Sequence, residues 1–200
     1  MTTTPADFFA TLYAGATGIL ELRSVPLDDT PAARRLAFFC RDFVPVTNGD
    51  LDIRLVERFL IKTRAHRMAA YFGVALRTQQ AAKDRKGSAP YCALLTALFV
   101  DCDFKHLGEA ESRKRIAEFA IPPSIIVNSG GGLHPYWILR HPLDLQNGGL
   151  STARSLLRRL AKSVADVVDE SVSEPVRVLR VPGSFNFKYT PSRLVTVEKL

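Results

Sequence analysis

The chain has 200 residues, 46% of them hydrophobic and 24% charged, with a net charge of +7. That composition belongs to a soluble globular protein of one good-sized domain or two small ones, and the positive charge favours a polyanionic partner such as nucleic acid or nucleotides. The three cysteines, Cys40, Cys92 and Cys102, form no Cys-x-x-Cys pair, which argues against a zinc knuckle or disulfide framework and for reduced thiols in a cytoplasmic protein. The N-terminus has no signal pattern, and no apolar run reaches the about 20 residues of a membrane span, so no membrane partner is expected.

In chain order, residues 7–14 fit a short helix, and residues 15–26, with Ile19-Leu20-Glu21-Leu22-Arg23, alternate like a strand. Residues 36–46 read as a second strand, and Thr47-Asn48-Gly49-Asp50 as a turn. Leu55, Val56, Phe59 and Leu60 recur at helical spacing within 51–69, and Tyr71 to Arg77 reads as a strand. The polar, basic stretch 78–90 reads as a loop. Leu94 to Asp103 is a buried strand, Glu109 to Phe119 an amphipathic helix stopped by Pro122 and Pro123, and Ser124 to Asn128 another strand. Leu133 to Leu139 is its hairpin partner. Ser151 caps a long helix to Val168, and Val176 to Val181 is a strand that enters a turn ending at Lys188. From residue 94 the order strand–helix–strand–strand–helix–strand is a split βαβ pattern of ferredoxin-like or RRM-like type. There is no internal repeat or low-complexity tract.

The most informative local feature is Phe99-Val100-Asp101-Cys102-Asp103. Side chains alternate along a strand, so Asp101 and Asp103 share a face while Cys102 points the other way into a core. Two carboxylates this close repel unless a positive species sits between them, and hard oxygen donors suit Mg²⁺ or Mn²⁺. The alternative is a strand end running into a solvated turn. Ser129-Gly130-Gly131-Gly132-Leu133-His134 joins two strands, and its glycines let backbone N–H groups approach a ligand. If the strands pair, His134 lies beside the aspartates, either to donate to a phosphate or as a structural histidine. Arg177 and Arg180, three apart, are expected to face opposite sides of their strand. Arg and Lys suit triphosphate binding, Arg as a fork and Lys as a point charge.

Asp-x-Asp after an apolar strand, Ser-Gly-Gly-Gly-Leu-His after the next, and a late acid before Arg-Val-Leu-Arg-Val-Pro-Gly-Ser-Phe-Asn resemble, in order and spacing, the archaeo-eukaryotic primase (AEP) superfamily. The likeness is to the primase-polymerases and RepB-like primases of plasmids, phages and mobile elements. It spans residues 94–188, and Glu21-Leu22-Arg23 and Phe72 to Arg77 extend it over most of the chain.

The resemblance implies an α+β fold: an AEP catalytic core in one domain, with an N-terminal α/β subdomain over 1–90 packed on an RRM-like palm sheet over 91–200. It implies Asp101 and Asp103 as metal ligands and catalytic residues. Asp169 is the favoured third acid, eleven residues before Arg180, with Glu174 its rival. Ser129, His134, Arg180 and Lys188 would bind nucleotide, and Arg77, Lys105 and Arg177 would contact nucleic acid or nucleotide. The cofactors implied are two divalent ions, Mg²⁺ or Mn²⁺, and the partners are a single-stranded DNA template and NTP or dNTP. The expected chemistry is nucleotidyl transfer, with a 3′-hydroxyl attacking the α-phosphorus and pyrophosphate leaving. By the same analogy a helical module or helicase follows this domain in a longer chain, in a bacterial or phage-infected cell.

Overall fold

The computed structural model describes residues 3–27, 35, 41–165 and 174–200. The chain opens with α1 (Pro5–Leu12), which begins two residues earlier than the apolar pattern suggests. Thr4 and Asp7 cap each other's backbone N–H groups in a capping box, and Pro5 fills the first turn where no donor is needed. α1 buries Phe8, Phe9 and Leu12, and the Phe8 ring meets Phe72 and Tyr136 edge-on at 5.5 and 5.7 Å. Such pairs contribute about 0.5–1.5 kcal/mol each beyond area burial.

β1 (Gly18–Val25), β2 (Asp42–Thr47) and β3 (Asp50–Leu51) follow, with the turn at Asn48-Gly49 in the left-handed region. The predicted strand 36–46 is therefore seen only from Asp42, because residues 36–40 lie outside those described. α2 (Ile53–Ala65), capped by Asp52, buries Val56, Phe59 and Thr63. The single strand expected over 71–77 is two, β4 (Ala69–Gly73) and β5 (Leu76–Arg77). The polar stretch read as a loop contains α3 (Gln79–Asp84), capped by Thr78.

β6 (Cys92–Phe99), β7 (Cys102–Asp103), α4 (Phe104–Leu107), α5 (Glu109–Glu118), β8 (Ile125–Asn128) and β9 (Gly132–Asp144) come next. A turn capped by the Asp144 carboxylate leads into α6 (Leu150–Ala165); Ser151 sits inside that helix rather than at its cap. β10 (Val178–Arg180), β11 (Phe185–Asn186), β12 (Arg193–Leu194) and β13 (Thr196–Lys199) complete the chain. Among the described residues no helix is long and apolar enough to cross a membrane.

One antiparallel sheet carries almost all of these strands, in the order β10-β4-β1-β5-β6-β9-β8-β13, with β2 on β1, β3 on β2 and β7 on β9. The β6-β9-β8 order is that of the predicted split βαβ unit. Its closing strand departs from that pattern. β10 pairs not with β6 but with β4, because β4, β1 and β5 from the N-terminal half lie between them. The two halves of the chain thus share one sheet. Alternation along β6 and β9 sorts the side chains. Leu95, Ala97, Phe99 and Tyr136 join the large core with α1. Val100, Cys102, Leu133 and Trp137 join a second core with Ile116 of α5 and Ala161, Val164 and Ala165 of α6.

Candidate active site

The row Leu95, Ala97, Phe99 continues past the end of β6 as Asp101 and Asp103. Val100 N–H still donates to Pro135 O at 3.2 Å, so the chain stays extended and the alternation holds. Both carboxylates line one cleft of about 310 Å³, while Cys102 is buried behind them as expected. Burial, then the charge of Asp101, pushes the Cys102 thiol up to about 12, so it is inert.

The positive charge facing Asp101 comes from side chains of the chain itself. Its Oδ2 accepts from Arg177 Nη2 at 2.8 Å, and its Oδ1 lies 3.4 Å from His134 Nε2. Burial raises its pKa; the hydrogen bond and charge of His134, then those of Arg177, outweigh burial and hold it well below the usual carboxylate range. Asp103 Oδ1 accepts the Lys105 N–H at 2.9 Å, capping α4 and fixing the direction of that carboxylate.

The glycine turn fits tightly against its neighbours. The Asn128 side chain accepts the Gly130 N–H, and Gly130 has φ +79°. A Cβ on Gly132 would collide with the Cys102 carbonyl, so only glycine lets β7 lie against β9 and bring Asp103 beside the turn. Ser129 Oγ donates to Gly132 O at 3.0 Å and is buried. His134 is also buried, and its Nδ1 has no partner among the described residues.

The opposite wall comes from β10 and the segment after it. Arg180 pairs with Tyr71 across β10 and β4, and its guanidinium lies over the Tyr71 ring at 5.1 Å, with Nη1 unpartnered. Arg177 and Arg180 both line the cleft, against the expectation that they face opposite sides. Arg177 precedes β10, at the end of a turn closed by its N–H on Glu174 O, so strand alternation does not reach it. Lys105, Ser129 and Lys188 line the same cleft. Asn186 Nδ2 holds Ser129 O at 2.9 Å, tying this segment to the glycine turn.

Two sequence expectations fall elsewhere, and a third lies outside the described residues. Arg77 does not reach nucleic acid: it has no exposed surface, and its guanidinium is bound to Glu21 at 2.9 Å and to Ala75 O, Cys92 Sγ and Val176 O. Glu174, the rival third ligand, is not in the cleft wall; Arg154 and Arg158 on α6 hold its carboxylate at 2.7 and 3.7 Å. Asp169, the favoured one, lies outside the described residues. Among the described residues no group of three or more His, Cys, Asp or Glu side chains is gathered as a metal cage. The cleft also recruits Tyr71, Asn186 and Tyr189, which sequence reasoning passed over. Asn186 stood inside the quoted Pro-Gly-Ser-Phe-Asn run, and that position was the available signal; the two tyrosines gave none.

No protein-family model and no curated protein matches the sequence. Solved structures do. The AEP domain of the cyanophage S-2L primase-polymerase is 16% identical with a TM-score of 0.58, over 95% of this chain and 85% of that one. The catalytic domain of primase RepB′ in complex with initiator DNA is 13% identical with a TM-score of 0.55, over 98% and 85%. A second RepB′ structure matches equally well over 56% of its length. The mixed α/β architecture built on one large antiparallel sheet is theirs, and the chain therefore has the fold of the AEP primase catalytic domain.

Proposed function

We propose that the protein is a primase-polymerase that joins nucleotides on a single-stranded DNA template. The observation that carries this reading is the convergence of three separated sequence segments on one cleft: Asp101 and Asp103, Ser129 and His134, and Arg180 and Lys188. Two carboxylates on one wall facing several cations on the other is a donor set for a metal–triphosphate, not for a bare phosphate backbone.

Asp101 and Asp103 fit a divalent ion, Mg²⁺ or Mn²⁺, by the chemistry of their oxygens, and Asp169 is the proposed third acid for a two-ion site. When bound, such ions stabilise charge on the attacking and leaving oxygens of an in-line displacement. The chain's own part is binding and orientation. Arg180, with an unpartnered buried Nη1, and Lys188 line the cleft and would neutralise triphosphate oxygens. His134 adds a short-range donor beside Asp101. Asn186 and Ser129 hold the two walls at fixed separation.

The test is primer synthesis on single-stranded DNA with Mg²⁺ or Mn²⁺ and labelled NTPs or dNTPs, with Asp101→Ala/Asp103→Ala as control. Short products that vanish in the control are expected. Products that need a supplied primer would restrict the reading to an extending or repairing polymerase. No product in either format would leave a binding module.

A further inference from the structure

A second concavity of about 330 Å³ lies between α2 and the segment that walls the active cleft. Alternation along that segment separates the two. Asn186 and Lys188 line the cleft, whereas Phe185 and Phe187 line the groove with Leu60, Ile61 and Met68. The two rings lie 5.9 Å apart, tilted by 30°. A guanidinium covers each: Arg64 lies 4.8 Å from the Phe185 centroid and Arg67 lies 5.2 Å from that of Phe187. Among the described residues no ion pair joins either guanidinium to a carboxylate, although Glu57 also lines the groove. Ile61, at its rim, is 70% exposed.

Arg67 supplies an independent observation. α2 ends in a Schellman turn, with Met68 N–H on Thr63 O at 2.8 Å and Arg67 N–H on Arg64 O at 3.1 Å. Arg67 occupies the left-handed position of that turn at φ +50°, where glycine is the unstrained choice. Lys62 and Arg64 already place positive charge at the helix C-terminus, so neither the turn nor the helix dipole calls for a third cation. What the arginine adds is its guanidinium over Phe187.

We propose that this groove binds single-stranded nucleic acid, with bases stacked against Phe185 and Phe187 and phosphates facing Arg64 and Arg67. Two rings with a guanidinium over each make a sequence-tolerant stacking platform, because a base stacks on a guanidinium plane as on an aromatic ring, and only unstacked bases can reach it. An apolar protein partner would have to bury two unpaired charges to reach the same rings, whereas a phosphodiester pairs with them. Groove and cleft lie on opposite sides of one segment, so a strand held here runs along the back of the cleft wall. The choice of a nucleic-acid strand rests on the primase reading above.

The experiment is fluorescence anisotropy of labelled oligothymidylate on the full chain, without nucleotide or divalent ion, at several salt concentrations. Arg64→Gln/Arg67→Gly is expected to weaken binding by about tenfold or more. It should also make the negative slope of log affinity against log salt shallower by about 1.4, because each neutralised phosphate contributes about 0.7 on single strands. Phe187→Leu, which keeps apolar volume, should weaken binding about fivefold or more. Arg67→Gly alone should raise the melting temperature while lowering affinity, which separates binding from folding. Unchanged affinity in the double variant overturns the proposal. So does a loss accompanied by a change of oligomeric state in light scattering, which would seat a second copy in the groove. Groove-dependent binding without any primer synthesis would remove the primase reading and keep the groove; synthesis without groove-dependent binding would do the reverse.

Discussion

Asp101 keeps its charge through its neighbours, and that determines its response to acid. Its pKa is depressed in the folded state, so the stability it contributes is complete above the unfolded value of about 3.9 and disappears as pH falls through the lower folded one. Asp101→Asn should cost about 1.5–3 kcal/mol at pH 7, the order expected for hydrogen bonds to a charged group, and the difference from wild type in urea unfolding should shrink steadily below pH 4. Nucleotide incorporation by the variant should fall by about 100-fold or more. Among the acids near residue 170, Asp169→Ala should abolish incorporation. Glu174→Ala should spare it, since Arg154 and Arg158 engage that carboxylate away from the cleft. The placement of the Asp-x-Asp pair and of the histidine after the glycines in one cleft was legible because short-range patterns set it, whereas Arg180 and Lys188 entered only through the family resemblance. Arg77 was not, because a buried arginine and a ligand-binding arginine look alike until Glu21, 56 residues away in sequence, is brought against it.

Strands β1 and β5 are locked together by that pair. Both side chains are fully buried; burial raises the Glu21 pKa, but Arg77 and then Arg23 outweigh it and leave it lowered, so the carboxylate is ionised at neutral pH. Glu21→Ala would strand the Arg77 charge in the core, and a loss of about 3–5 kcal/mol in denaturant unfolding is expected. Elements with a strong apolar signal, α2, α6, β6 and β8, were readable to within a few residues; α5, with Ser112 and Ile116 as its buried residues, was bounded by the prolines that follow it. α3 was hidden because six residues with only Ala81 buried leave no period to detect. β12 and β13 were hidden because their side chains are largely exposed, so their alternation carries no hydrophobic signal.

Across the whole molecule, the shared sheet ties the N-terminal 90 residues to the rest through β5 on β6 and β10 on β4. Splitting the chain between residues 90 and 91 should therefore give two pieces that each lack cooperative thermal unfolding by circular dichroism. Mixing them should restore a transition. The split βαβ order could be read from the sequence, but the insertion of β4, β1 and β5 beside β10 could not, because nothing local in a strand names its partner.

The β10–β4 pairing also sets when the cleft can exist during synthesis. Arg177 reaches back 76 residues to Asp101, and Val176 reaches back 99 to Arg77. On the ribosome, a chain that has already delivered Asp101, Asp103 and His134 still lacks the arginines that face them, and β4 waits with one edge unpaired. A stall before residue 176 would leave a nascent protein whose Asp101 has His134 but not Arg177 beside it, with an open strand edge, which is a substrate for chaperones rather than for nucleotides.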